Sequence, residues 1–216
     1  MQWSWHPVQL SFLVSIVATI ITFFLVLFTT YWLFYIKFRG RALIETVFYL
    51  PLVLPPTVIG FLLIIVFGSN SPIGKIIEWF TGSSVLFTVS AAIIAASTVS
   101  FPLMYQPIKT GLLSIDQHVV DAACVDGANK HELFLKIIIP LSYRSMLTGI
   151  ILAFTRAFGE FGATLMFAGN IPGHTQTIPT AIYLAIETGN KKVASYYVLL
   201  SIAFSFLLLM MVDRKK

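Results

Sequence analysis

An all-α, polytopic membrane protein with five transmembrane helices and one long cytoplasmic loop is the fold class this sequence predicts, and three observations carry it. Of 216 residues, 57% are hydrophobic and only 11% charged, whereas a soluble domain runs about 45–50% apolar and about 25% charged. Five apolar stretches are long enough to cross a bilayer core, which takes roughly 20 helical residues. The basic residues fall in short clusters between those stretches, the pattern left when positive charge is held on the cytoplasmic side. Mean hydropathy is +0.88. The net charge of +5 is therefore read as a membrane-sided distribution and not as a nucleic-acid surface.

The first stretch, 8–36, is uncharged. Because no Lys or Arg precedes Lys37, it lacks the basic start of a secretory signal and is expected to be retained. The second, 43–67, carries only Glu45. Pro55 and Pro56 each lack a backbone donor and are expected to break it midway. The third, 86–108, is uncharged, and Pro102 and Pro107 are expected to break it in the same way. The fourth, 141–167, carries Arg144, Arg156 and Glu160, and the fifth spans 194–212. A shorter run, 178–186, reads as an interfacial or re-entrant piece. The whole chain, 1–216, is expected to form one domain.

With five spans the two termini face opposite sides. One side collects nine cations, Lys37, Arg39, Arg41, Lys109, Lys130, Lys136, Arg214, Lys215 and Lys216, against Lys75, Lys191 and Lys192 on the other. The nine mark the cytoplasm, which places the N-terminus outside and the C-terminus inside. Trp3, Trp5 and Trp79 then fall near the outer interface, where amphipathic rings settle.

Two apparent chemical motifs fail on spacing. Gly68, Gly74 and Lys75 have five residues between the glycines and Ile76 after the lysine, so they form no phosphate loop. His131 and Glu132 begin a metalloprotease pattern that ends on Leu135 where the second His is needed. No metal site and no cofactor are expected, and no catalytic residue. Cys124 is the single cysteine.

The loop 114–137 carries more. Ile115, Val119, Ala122 and Ala123 recur at helical spacing behind Asp116 as N-cap. Gly127 can end that helix in a left-handed conformation, and Asn129 can cap a second one. The run Asp121-Ala122-Ala123, then Gly127, then Ile137, Ile139 and Pro140 resembles the E-A-A-x3-G-x9-I-x-L-P signature of ABC importer permeases. Asp121 stands where that signature has Glu, and Ile139 where it has Leu. Three further blocks look like the molybdate permeases among them: Leu50 to Gly60, with Pro55, Pro56 and Thr57; Thr155 to Thr164; and Gly169 to Gly173 with Thr175 to Pro179. The fourth-span block and the Gly-Asn-Ile loop are shared with sulfate and thiosulfate permeases.

The resemblance implies a subunit that hydrolyses nothing itself, working as a homodimer in the cell membrane. It implies cytoplasmic ABC ATPase subunits docked at 114–137 and an extracytoplasmic molybdate-binding protein above. Sulfate, thiosulfate or tungstate are the alternative cargoes, and a self-sufficient anion channel or secondary carrier is the alternative class. Arg156 and Glu160 then have two readings. They form either an intrahelical pair that fixes the fourth span or a cation with its holder beside the anion path.

Overall fold

The computed structural model describes residues 3–35 and 39–213, and every regular element among them is helical. Lys37, Arg214, Lys215 and Lys216 of the charge count lie outside the described residues. In chain order the helices are α1 (His6–Tyr35), α2 (Arg41–Val53), α3 (Pro56–Phe67), α4 (Pro72–Thr81), α5 (Val89–Leu113) and α6 (Gln117–Val125). There follow α7 (Lys130–Glu132), a π-helical stretch (Leu133–Ile138), α8 (Ile139–Leu141), α9 (Tyr143–Phe158), α10 (Gly162–Phe167), α11 (Ile178–Glu187) and α12 (Lys191–Asp213). Three of these, α1, α5 and α12, are each long and apolar enough to cross a membrane, and up to five crossings result if each sharply bent helix pair is one span.

The bundle is built around α5, which packs on α1, α9, α2 and α10. Lipid gives helices no hydrophobic reason to associate, so close contact of small residues must do it. Ala91, Ala92, Ala95 and Ala96 of α5 are all fully buried, and α1 meets α5 with hydroxyls. The Thr22 Oγ1 hydroxyl donates to Ser97 O at 3.4 Å, and Ser97 Oγ donates to Ala18 O at 3.4 Å. On the α9 side a Cβ at Gly149 would stand 3.0 Å from the Met104 carbonyl oxygen, and one at Gly111 2.3 Å from Ser145. Neither position admits a side chain without parting the helices.

The expected break of the second span is present. Leu54 and Pro55 are extended (ψ 143° and 138°), and α3 restarts at Pro56. The expected break of the third is not, because α5 runs unbroken through Pro102 and Pro107 to Leu113. It packs between α1 and α9, and spanning helices tolerate lost donors where neighbours surround them. The fourth span is also not one helix. It stops at Phe158 and restarts at Gly162.

The 178–186 run is α11, with Ile178, Ala181 and Ala185 fully buried against α12 and α1. It is packed on its neighbours along this face, with Tyr183 and Ile186 exposed on the other. α4 is amphipathic and bends 67° from α3, with Trp79 and Phe80 exposed. Ser71 starts it by accepting from Gly74 N at 2.8 Å, and Gly82 (φ 74°) ends it.

Candidate functional site: a helical knob and two apposed helix breaks

The loop between α5 and α9 folds as a compact knob. Asp116 Oδ1 accepts from His118 N at 2.9 Å and starts α6. Gly127 has φ +88° with nothing within 4 Å of where a Cβ would sit, so backbone conformation and not space selects glycine there. Asn129 and Glu132 form a capping box: Asn129 Oδ1 accepts from Glu132 N (2.9 Å) and Glu132 Oε2 from Asn129 N (3.3 Å). Glu132 also receives Lys136 Nζ at 3.0 Å. The Lys136 ammonium, and then the Asn129 amide, hold the Glu132 carboxyl below its ordinary 4.5.

Of the signature residues, Ala123 is buried, Ile137 and Ile139 are half-buried, and Asp121, Ala122, Gly127 and Pro140 are exposed. The residues that root the knob lie between them. Leu133, Phe134 and Ile138 are buried in one cluster with Leu33, Met104, Tyr105 and Ile108 of α1 and α5, and Tyr31 meets Phe134 edge to face at 4.9 Å. Pro140 has no N–H to give, and the turn before it widens: Ile139 N reaches back five residues to Phe134 O. The chain then bends 73° into α9.

At its other end α9 reaches Arg156. Nη1 of Arg156 lies 2.6 Å from Oε2 of Glu160, which is almost wholly buried while Arg156 is 29% exposed. The pair does not lie within one helix, as the sequence reading had it, because Glu160 sits beyond the end of α9. Its Oε1 accepts from Ala163 N at 2.8 Å, so the same carboxylate satisfies a free amide at the start of α10.

This break faces the break of the second span. A Cβ at Gly162 would stand 2.9 Å from Pro56 Cβ, and one at Gly60 2.6 Å from Met166 Cβ and 3.0 Å from Ala163 O. So α3 and α10 touch backbone to backbone, and Pro56 and Thr57 adjoin the loop that holds Glu160. Pro55, Pro56 and Thr57 are exposed. α9, about 24 Å long from its 16 residues, joins the knob to these breaks.

Two polar clusters escaped the sequence reading. Glu45 accepts from Lys109 Nζ at 2.8 Å and Arg41 Nε at 3.1 Å. The Arg41–Glu45 spacing of four on one helix was a visible signal; Lys109, 64 residues away, was not. Beyond α10, Gln176 Nε2 donates to Asn170 Oδ1 at 3.1 Å, Asn170 Nδ2 to Thr180 O at 3.2 Å, and Ile171 N to Thr175 Oγ1 at 3.1 Å. This network stiffens the loop of Gly169 (φ 74°) and Gly173 (φ 75°).

The family described as "Binding-protein-dependent transport system inner membrane component" matches residues 26–214. The chain belongs to this family. Among curated relatives of this inner membrane component, the "Putative molybdenum transport system permease protein YvgM" of Bacillus subtilis (strain 168) is 52% identical over 97% of this chain and 92% of the relative. The "Molybdenum transport system permease protein ModB" of Escherichia coli (strain K12) is 39% identical over 95% and 90%. Of solved structures, a chain of the bacterial alginate ABC transporter complex superposes with TM-score 0.76 at 14% identity, covering 97% of this chain and 76% of that one. A chain of the MetNI methionine ABC transporter gives 0.68 at 15% identity, covering 97% and 91%. At such identities the two structures speak to the fold alone, which is that of ABC transporter membrane subunits.

Proposed function

We propose that this permease subunit carries molybdate across the cell membrane in an ATP-driven importer. The observation that carries the cargo is the sequence kinship with permeases named for molybdenum, over nearly the whole length of both partners. The subunit works as a homodimer with its N-terminus outside and C-terminus inside. ABC ATPase subunits dock on the knob, and a molybdate-binding protein delivers the anion on the opposite face.

In this reading Asp121, Ala122, Gly127 and Pro140 meet the ATPase, while Ala123, Ile137 and Ile139 pack inward beside the Leu133, Phe134 and Ile138 that root the knob. ATPase closure moves the knob, and α9 transmits the movement to the apposed breaks at Pro55–Thr57 and Gly159–Phe161. Arg156 and Glu160 hold the fourth-span break together. What supports a structural role is the hydrogen bond by which Glu160 Oε1 caps α10 while its Oε2 faces Arg156.

Proteoliposomes containing this chain, its ATPase and its binding protein test the reading. ATP-dependent uptake of radiolabelled molybdate, competed by tungstate more strongly than by sulfate, is expected. Anion flux through the chain alone, without ATP or binding protein, would instead identify a self-sufficient channel or carrier.

A further inference from the structure

A groove of about 470 Å³ opens on the side of the bundle between α1, α2 and α5. Ile21 and Leu25 line it from α1, Phe48 and Pro51 from α2, Ile94 and Phe101 from α5. Its three lining hydroxyls are committed to backbone carbonyls: Thr29 Oγ1 donates to Leu25 O at 2.8 Å, Thr98 Oγ1 to Ile94 O at 2.8 Å and Ser97 Oγ to Ala18 O at 3.4 Å. They leave the groove no free donor, so its contents are hydrocarbon.

The groove has a charged end. Two turns beyond Phe101 along α5 stands Lys109, and two turns before Phe48 along α2 stands Arg41. Both line a second, smaller recess with Thr30, Leu33 and Tyr105, which lies on the far side of the Phe48–Phe101–Tyr105 ring contacts from the groove. Glu45 bridges the two cations, and Arg39 is exposed beside them, which leaves two positive charges in excess. From Phe101 to Ile93 the apolar wall runs about 12 Å along α5, close to the roughly 15 Å of one leaflet's hydrocarbon.

The geometry points to a built-in site for one anionic phospholipid, with an acyl chain in the α1–α2–α5 groove and its phosphate at Arg41 and Lys109. Apolar walls of leaflet depth ending on surplus cations match an amphiphile of that sign and no other membrane component. The leaflet is the cytoplasmic one if the orientation proposed above holds; the site itself depends neither on that nor on the cargo. A lipid there adds a second neighbour to α2, which packs on α5 and has no buried residue of its own.

Native mass spectrometry of the full chain, purified in detergent and mixed with equal phosphatidylglycerol and phosphatidylcholine, tests this. One phosphatidylglycerol retained per chain in preference to phosphatidylcholine is expected. Each cation facing an anionic headgroup counts for roughly fivefold, so Arg41→Gln with Lys109→Gln should lower that preference about 25-fold. Because this variant leaves Glu45 without its partners, the triple variant that adds Glu45→Gln is measured beside it and, one charge short of the unaltered chain, should still lose about fivefold. Glu45→Gln alone keeps both cations and should retain the lipid at least as well as the unaltered chain. Ile94→Trp, which fills the groove and spares the cations, should release it. Equal retention of both lipids, or retention indifferent to all of these changes, would overturn the site. So would a lipid-free dimer that Ile94→Trp converts to monomer, because a second copy of the chain would then be the occupant.

Discussion

Glu160 shows how one side chain can serve two neighbours, and its variants separate those services. Glu160→Gln keeps an oxygen for the Ala163 amide but gives up the ion pair, whereas Arg156→Gln keeps the cap and strands a buried carboxylate. Since Arg156 is 29% exposed, the stranding should cost between about 1 kcal/mol, as for exposed pairs, and about 3 kcal/mol, as for buried ones. Removing both charges should recover most of that loss. Thermal unfolding of the purified variants reads it, and molybdate uptake by the double variant checks the role: near-normal transport is expected, and a large loss in a correctly assembled complex would make Arg156 an anion contact. At Gly127 the open surroundings leave only backbone strain, about 1–2 kcal/mol for a side chain at positive φ. Gly127→Val should therefore weaken ATPase stimulation by loaded binding protein about tenfold while binding-protein docking persists. Full stimulation would remove Gly127 from the coupling reading.

Among the elements, α3 and α10 form the tightest contact near the breaks. Because the atoms facing Gly60 include the Ala163 carbonyl, Gly60→Val cannot be absorbed by a rotamer change. It should destabilise by roughly 1–3 kcal/mol, as overpacking does, and lower transport with it. A melting temperature equal to that of the unaltered chain would show that the helices separate freely. The short α7 offers a pH test. Its Glu132 carboxyl is held below 4.5, so its contribution is complete above that value and is lost as pH falls through the lowered one. Amide exchange at residues 130–134 should accelerate as pH falls through that lowered value, and an exchange rate indifferent to acidification would remove Glu132 from the cap.

The caps of these elements were legible in the sequence, since Asp116, Gly127 and Asn129 act on their immediate neighbours. So was the Pro55–Pro56 break, where two adjacent donors are missing. The continuity of α5 was not, because what holds it through Pro102 and Pro107 comes from α1 and α9. The break at Gly159 was hidden by an apolar run on both sides. The pairing of Arg156 with Glu160 was readable from spacing, but the Ala163 cap needs a helix start that no residue announces.

For the molecule as a whole, sidedness is the outstanding expectation, and Cys124 is a native reporter of it. Exposed on the knob, it should resist a membrane-impermeant thiol reagent in intact cells and react in inverted vesicles washed free of peripheral partners. Ser4→Cys in a Cys124→Ser background should show the opposite pattern, and labelling of Cys124 from outside would invert the orientation.

The ends of the described chain are also fastened together: Ser11 Oγ accepts from Ile178 N at 2.8 Å across 167 positions, and Ser4 O accepts from Tyr197 Oη at 2.7 Å across 193. During synthesis, at about 5–20 residues per second, the first of these partners arrives roughly ten to thirty seconds after Ser11. For that interval α1 must wait beside the insertion machinery with a hydroxyl face meant for helices not yet made. Ser15 and Thr19 donate to the carbonyls of Ser11 and Ser15 one turn back, at 2.5 and 2.6 Å, so much of that face is already satisfied by α1 itself. The newborn helix can therefore idle in lipid, and the bonds of Ser11 to α11 and of Ser4 to α12 await the end of synthesis.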